Sequence, residues 1–233
     1  MCIMEKVKTL TLSMCFLTVF SGFTFTSCST KQGTGTLIGA GGGAALGSII
    51  GAIAGHGKGA AIGAAIGGAV GAGAGTLIGK HMDKVAQQAA QVENAQVEEV
   101  TDNNGLKAVK VTFDSGILFP TNGYTLNSTS KTSLAKFSQV LKSNADCHVD
   151  IYGYTDRSGG DAINVPLSQK RAQSVADYLT SCGVTSSQLQ NIVGKGSQDE
   201  IENKTVSQAN RRVEVYLYAS QDMINKANAG TLQ

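Results

Sequence analysis

The stretch that decides the fold is residues 154–172, which read YTDRSGGDAINVPLSQKRA. Its first half, through Asp161, consists mainly of Asp, Ser and Gly, which favour turns, so it predicts a loop. In its second half Ser168 follows Pro166 and is a good N-cap. Apolar residues then recur at helical spacing over 172–179. The stretch therefore predicts a loop followed by a helix that begins near Ser168.

Two opposite charges stand fifteen positions apart here, Asp156 on the loop and Arg171 in the first turn of the expected helix. The helix dipole disfavours a cation at that position. One interpretation is functional: the first N–H groups of the helix and Arg171 hold an anion, while Asp156 holds the cationic group of the same ligand. An amino-acid zwitterion would fit such a pair. The alternative is that Asp156 and Arg171 pair with each other.

The pattern TDxxGxxxxNxxLSxxRAxxVxxxL over residues 155–179 resembles the signature of the OmpA-like peptidoglycan-binding domain. That family includes the periplasmic half of OmpA, the Pal lipoprotein and the stator protein MotB. The resemblance extends to Phe113-Asp114 upstream and to the run NRRVE at 210–214, and covers roughly residues 106–219.

The resemblance implies that the acid at Asp156 and the base at Arg171 grip the diaminopimelate of a peptidoglycan stem peptide. Four further positions match family residues that line the ligand pocket or shape its loop: Thr155, Asp114, Asn164 and Leu167. Core packing remains an equal alternative for Leu167. The arginine pair Arg211-Arg212 matches residues that we expect to hold the acidic loop by charge pairing.

The N-terminus predicts a targeting segment, because two lysines precede an uncharged apolar stretch over residues 10–25. The stretch ends in Phe25-Thr26-Ser27-Cys28, which resembles a bacterial lipoprotein cleavage site. We therefore expect a signal peptide over 1–27, lipidation of Cys28 and a short linker over 28–34. An ordinary signal peptide with an incidental cysteine is the alternative.

Two of the five cysteines remain for the rest of the chain, Cys147 and Cys182. In an exported protein they could form a disulfide, since a crossover helix returns the chain to the edge where strands begin. Two buried free thiols are the alternative. No cysteine or histidine has the spacing of a metal-binding motif, so the sequence predicts no metal site.

Glycine recurs at every fourth position over residues 35–79, among mostly Ala, Ile, Leu and Val. A polar break at 56–58 divides the run into two segments, each long enough for a helix of about 31 Å, close to the roughly 30 Å of a bilayer core. Small residues four apart let helices pack closely. We expect a glycine-zipper helical hairpin in the membrane. Packing or self-association outside the bilayer, including a homo-oligomer, is the alternative.

The rest predicts a helical linker over 80–105 that ends in the turn cluster 101–105, a globular domain over 106–219 and a C-terminal tail over 220–233. The domain reads β-α-β-α-β-β, an α/β (α+β) sandwich with one mixed sheet and helices against it. The expected elements are strands at 108–113, 148–153, 189–194 and 212–218, and helices at 129–143 and from Ser168 to about Cys182.

An enzyme is not expected, because the three histidines are scattered and no nucleophile, phosphate loop or cofactor motif appears. Nucleic acid is an unlikely partner, since the net charge is only +2 and no basic stripe appears. The sequence thus favours an outer-membrane lipoprotein, anchored in outer-membrane lipid, whose periplasmic domain binds peptidoglycan. A membrane-active glycine-zipper pore anchored to the wall is the alternative, and a peptidoglycan hydrolase is a distant third.

Overall fold

The computed structural model describes residues 70–71, 73–120 and 122–232. Four expectations therefore lie outside the described residues: the signal peptide, the lipidation of Cys28, the short linker over 28–34 and nearly all of the glycine-rich run. Within the described ranges, no helix is both long enough and apolar enough to cross a membrane.

The described chain contains five helices and five strands. In chain order they are α1 (Ala74–Ala89), β1 (Ala95–Thr101), β2 (Lys107–Asp114), α2 (Ser115–Leu118), α3 (Ser128–Ser143), β3 (Cys147–Gly153), α4 (Asp161–Ser181), β4 (Leu189–Gly194), β5 (Arg212–Ala219) and α5 (Gln221–Asn228).

The five strands form one mixed sheet in the order β1-β2-β5-β3-β4. The β3–β4 pair is parallel and the other pairs are antiparallel. The last strand, β5, thus lies in the centre, between β2 and β3, and all eight of its residues are buried. Gly153 at the end of β3 faces Val213 at the start of β5. The loop that leaves β3 and the loop that enters β5 therefore meet at one edge, and the expected fold class is confirmed.

One face of the sheet is apolar and carries the helices, with Val111, Ile151 and Val215 fully buried in its main core. Alternate residues of the same strands point to the other face, where a second cluster consists mainly of buried tyrosines. Its hydroxyls donate to carboxylates, for example from Tyr152 and Tyr218 to Asp150 at 3.0 and 3.1 Å. The loops that carry the candidate site residues lie at one end of this two-sided sheet.

The segment expected as a helical linker is built differently. Helix α1 ends at Ala89, and the left-handed backbone of Asn94 (φ 63°) turns the chain into β1. This strand pairs with β2 along its whole length. The turn cluster is the hairpin connection, in which the Asp102 carboxylate accepts from the backbone of Asn104 and Leu106. Ala95 and Val97 alternate with the polar residues Gln96 and Glu98, which is a short strand signal.

The expected C-terminal tail also folds onto the core. Ser220 caps α5 by accepting a hydrogen bond from the Met223 backbone at 3.2 Å. Met223 and Ile224 are fully buried in the main core. The segment is therefore a packed helix over Gln221–Asn228, followed by a short end.

The disulfide alternative is not realised, because Cys147 and Cys182 are both free cysteines. Cys147 is buried, with its sulfur 4.0 Å from the sulfur of Met82 on α1. Cys182 is only partly buried and lies just after α4.

Candidate functional site

The loop between β3 and α4 is held at both sides by backbone hydrogen bonds. The Tyr154 amide donates to the Arg212 carbonyl at 2.9 Å, and the Thr155 amide donates to the Gly196 carbonyl at 2.8 Å. The loop is therefore fixed between the start of β5 and the segment that follows β4. This places Asp156 where these three segments converge.

The Asp156 carboxylate is buried and fully used as an acceptor. Its Oδ1 accepts from the backbone and hydroxyl of Ser158, at 3.1 and 2.5 Å. Its Oδ2 accepts from the Ser207 backbone at 3.3 Å and forms an ion pair with Arg211 at 2.5 Å. Burial acts to raise the pKa of Asp156, but the hydrogen bonds from Ser158, Arg211 and Ser207 together lower it below its usual value. The carboxylate is therefore ionised at neutral pH.

Arg171 is a buried cation on α4, with only 4% of its surface exposed. Its Nε donates to the Gly123 carbonyl at 2.9 Å, and its guanidinium lies over the Phe119 ring at 5.4 Å. Burial lowers its pKa, nearby Arg211 lowers it further and Asp156 opposes the shift, but an arginine remains protonated. Within the described part of the chain, Arg171 forms no ion pair with a carboxylate.

The structure corrects the expected start of α4. The helix begins at Asp161 after Gly160, whose φ of 65° suits glycine, and Pro166 lies inside it. Ser168 does not cap the helix, since its hydroxyl donates to the Val165 carbonyl and accepts from the Gly196 amide. Arg171 therefore lies about three turns into α4, too far from the helix start for the dipole argument to apply.

The alternative in which Asp156 pairs directly with Arg171 is also not observed. Asp156 pairs instead with Arg211 from the segment before β5. This agrees with the expectation that the C-terminal arginines hold the acidic loop, as far as Arg211 is concerned. Arg212 does not pair with Asp156. It pairs with Glu214 at 2.7 Å and lies over the Tyr154 ring at 3.9 Å.

Asp114 lies at the same edge, as expected, at the junction of β2 and α2. Its carboxylate caps α2 by accepting from the Gly116 amide at 2.6 Å, and it also accepts from the Gln208 side chain. The Gln208 side-chain oxygen in turn accepts from Arg211. A continuous chain of hydrogen bonds thus joins Asp114, through Gln208 and Arg211, to Asp156.

The other three candidate positions have separate roles in the structure. Asn164 is buried, and its amide donates to the Asp156 carbonyl at 2.8 Å, which shapes the loop. Thr155 is buried, and its hydroxyl has no hydrogen-bond partner among the described residues. Leu167 is half-buried on α4. A role in ligand binding stays a prediction for all three.

Sequence reasoning missed Gln208, Ser207 and Gly123. Each comes from a long loop that no motif places, and each contributes through one backbone or amide group. Ser158 could have been found, because a serine two positions after an aspartate is well placed to donate to that carboxylate in an Asx turn.

The arrangement is suited to holding a ligand that carries both charges. It offers the ionised carboxylate of Asp156, the paired Arg211, and Arg171, which has no carboxylate partner among the residues that the structure describes. The two described histidines lie elsewhere, His81 on α1 and His148 on β3. The charged groups of the cluster are therefore carboxylates and arginines.

Comparison with known families gives two matches on different parts of the chain. Residues 118–214 match the model described as the OmpA family. Residues 4–83 match the YMGG-like Gly-zipper model. The first range contains the loop and helix built around Asp156 and Arg171, and the second contains the glycine-rich run.

Similar proteins include the peptidoglycan-binding protein ArfA of Mycobacterium bovis, 36% identical over 46% of this chain and 34% of its own length. The probable lipoprotein YiaD of Escherichia coli K12 is 32% identical over 60% of this chain and 64% of its own length. Among solved structures, a MotB-like protein from Desulfovibrio vulgaris has a TM-score of 0.51 and 22% identity, covering 63% of this chain and 92% of that one. This last likeness concerns the fold.

The chain thus spans about a third of the length of ArfA and less than two thirds of that of YiaD. Neither matching model and neither of these two relatives is named for a catalytic activity. Motif, fold and family matches agree on the same residues. We conclude that residues 118–214 of this chain are similar to the OmpA family and that residues 4–83 are similar to the YMGG-like Gly-zipper family.

Proposed function

We propose that this protein binds peptidoglycan non-covalently and tethers the outer membrane to the cell wall. The group it holds is the zwitterionic end of a diaminopimelate residue in the stem peptide. Asp156 holds the ammonium group and Arg171 holds the carboxylate. The OmpA family match and the relative named as peptidoglycan-binding support this proposal.

The observation that carries the proposal is the state of Arg171. A buried charge is normally paired, because leaving water costs several kcal/mol that only a good partner offsets. Arg171 is 4% exposed, and its described contacts are a backbone carbonyl and an aromatic ring, with no carboxylate. A ligand carboxylate would supply the missing counter-ion, and a guanidinium can bind it through two parallel hydrogen bonds.

The acidic side of the site explains why the ligand should carry a cation as well. Asp156 is ionised and buried, and one of its oxygens is covered by the Arg211 side chain, which is about one third exposed. Arg211 can therefore move aside or share the carboxylate when an ammonium group approaches. Free carboxylic acids without an ammonium group would meet Asp156 as a like charge and bind less well.

The test is co-sedimentation of the full-length protein, solubilised in detergent, with purified sacculi. Removing one partner of a buried charge pair costs about 2–5 kcal/mol, so Arg171→Gln and Asp156→Asn should each weaken binding at least about thirtyfold. Diaminopimelate should compete with the sacculi. Unfolding curves of each variant show whether the domain stays folded.

Arg157→Gln is the matched control, because it removes one positive charge directly beside Asp156. Its side chain is 44% exposed and pairs with Glu200 rather than with Asp156. We expect it to bind sacculi like the wild type. If Arg157→Gln weakens binding as much as Arg171→Gln, the attraction is a general charge effect. If the wild type itself stays in solution, the proposed function is wrong.

The membrane end of the tether rests on the N-terminal segment. We place the lipid on Cys28, and the Gly-zipper match over residues 4–83 together with a relative named as a probable lipoprotein supports this placement. Cys28→Ser should release the protein from membranes. A variant that still fractionates with membranes would move the anchor to the glycine-rich run, and bilayer conductance of the full-length protein would then test for a pore.

A further inference from the structure

Three side chains with metal-binding atoms meet at the opposite end of β3 from the peptidoglycan site. His81 lies on α1, Asp146 lies in the turn before β3, and Cys147 is the first residue of β3. Their ligand atoms all lie within 4.8 Å of one another. The sulfur of Met82 lies 4.0 Å from the Cys147 sulfur.

We propose that His81, Asp146 and Cys147 form a binding site for a zinc-class divalent transition ion. Imidazole, carboxylate and thiolate are the ligands that zinc prefers, and three protein ligands leave a fourth position for water. The site is separate from the Asp156–Arg171 site, and its proposal does not depend on peptidoglycan binding.

The spacing of the donor atoms suits this assignment. Bonds of about 2.0–2.3 Å in a tetrahedral site place ligand atoms roughly 3.3–3.8 Å apart. The His81 Nε2 and Asp146 Oδ1 atoms are 3.8 Å apart, longer than a hydrogen bond but close to that range. Since none of the three donor atoms lies beyond 4.8 Å from another, side-chain movements of about 1 Å suffice to close the site around an ion.

The surroundings leave the ion both shielded and accessible. Cys147 is fully buried, whereas the His81 and Asp146 side chains are 13% and 19% exposed. The sulfur side of the site is therefore dry, and an ion can enter beside the carboxylate. Asp146 Oδ2 pairs with Lys226 at 3.4 Å, so Oδ1 can bind the ion while that pair persists.

Binding would also change the state of the thiol. Burial, together with the nearby charge of Asp146, raises the pKa of Cys147, so without an ion the sulfur keeps its proton. When the sulfur–zinc bond forms, the S–H bond breaks and the proton leaves to water, as it does for a coordinating thiol in general.

A bound ion would join α1 to the body of the sheet. His81 is on the helix that follows the glycine-rich run, while Asp146 and Cys147 belong to the strand side. Because 65 positions separate His81 from Asp146, no short sequence motif could reveal the site. An ion that binds only the folded state would stabilise the attachment of α1.

The experiment uses cobalt(II) as a spectroscopic substitute for zinc on the full-length protein in detergent, after removal of bound metal with a chelator. We expect one cobalt per chain with a near-ultraviolet thiolate charge-transfer band and the intense visible bands of a tetrahedral site, both removed by added zinc. Cys147→Ser should abolish the charge-transfer band. His81→Gln and Asp146→Asn should weaken cobalt binding at least tenfold.

The chain offers two matched controls, Cys182→Ser and His148→Gln, which change a second cysteine and a second histidine of the same domain. Both should retain the band and the affinity. Zinc should also raise the urea midpoint of the wild type and leave that of His81→Gln unchanged, which keeps the test decisive if Cys147→Ser fails to fold. The proposal is overturned if the wild type shows no thiolate band, or if the band survives Cys147→Ser and is lost in Cys182→Ser.

Discussion

Helices α1 and α4 lie on the same apolar face of the sheet, but they are attached to it in different ways. Helix α4 approaches β3 and β4 backbone to backbone, and the strands carry Gly153 and Gly194 where it passes. A methyl group on Gly153 would lie 2.3 Å from the Ser168 carbonyl oxygen, and one on Gly194 would lie 2.2 Å from the Gln169 nitrogen. The Gln169 side chain adds hydrogen bonds to β4 at Ile192 and Gly194.

Helix α1 instead rests on bulky side chains. Ile78, Met82 and Val85 are all fully buried, and no described atom beyond the helix's own neighbourhood lies within 4 Å of a methyl added to Gly75 or Gly79. Helix α4 thus contacts the strands through its backbone, whereas α1 contacts the core through buried apolar side chains. Of these two helices, the one that carries Arg171 is thus the one that leaves no room for a methyl group on the strands it crosses.

The largest expected effect is on the apolar attachment of α1. Ile78→Ala should lower the free energy of unfolding by about 3 kcal/mol, because it leaves a cavity in a fully buried position. Urea unfolding followed by tyrosine fluorescence measures this, since all six tyrosines lie between residues 124 and 218. Leu77→Ala, on the partly buried flank of the same helix, is the control and should cost about 1 kcal/mol. Equal effects would mean that α1 is not packed as described.

The affinity of Ile78→Ala for sacculi provides a second measurement on the same variant. Ile78→Ala should bind sacculi with wild-type affinity under conditions where it is folded, because α1 does not contribute to the Asp156–Arg171 site. A loss of binding in the folded variant would show that α1 is coupled to the site.

The second prediction concerns α4, where we expect a substitution to weaken both the stability of the domain and its binding to sacculi. Gly194→Ala should lower the free energy of unfolding by about 2 kcal/mol, since the added methyl requires backbone on both sides to move. Because the shift displaces the helix that carries Arg171, sacculus binding should fall by more than the loss of folded protein explains. If Gly194→Ala destabilises the domain but leaves the affinity of the folded fraction unchanged, the close contact does not position the site.

The sequence predicted the parts of the fold whose signal is local. Strands β2, β3, β4 and β5 and helix α3 lie within one or two residues of their expected bounds, because apolar periodicity and turn residues mark them. The sequence did not predict the segments whose secondary structure depends on contacts with another part of the chain. Strand β1 is an edge strand with few apolar residues, and its pairing with β2 decides its conformation. Helix α5 is short, so tertiary packing outweighs its weak local pattern.

For the site, the motif identified the residues but not their connections. The charges of Asp156 and Arg171 suggested either a shared ligand or a direct pair, and the sequence could not decide between them. The deciding partner, Arg211, is 55 positions from Asp156, and Gly123 is 48 positions from Arg171. The start of α4 was misplaced because Pro166 normally ends or begins a helix, whereas here the hydrogen bond of Asn164 to the loop supports the earlier turn.

The smallest expected effect has the opposite sign. Gly79→Ala should raise the free energy of unfolding by about 1 kcal/mol, because alanine favours a helix interior over glycine by that amount and the described surroundings leave room for the methyl. Urea unfolding followed by tyrosine fluorescence measures this gain. Gly194→Ala is the comparison, because it is the same substitution at a position where the added methyl would meet the backbone of Gln169.

The sign of this last effect bears on the glycine-rich run itself. Gly75 and Gly79 continue the four-residue repeat of the zipper into α1. If they served a backbone-to-backbone contact with another helix, the added methyl would clash there, as it does at Gly194, and Gly79→Ala would destabilise the protein in detergent. A gain in stability would mean that the repeat ends as a packing surface before α1, and that this helix is attached to the domain through its side chains, among them Ile78, Met82 and Val85.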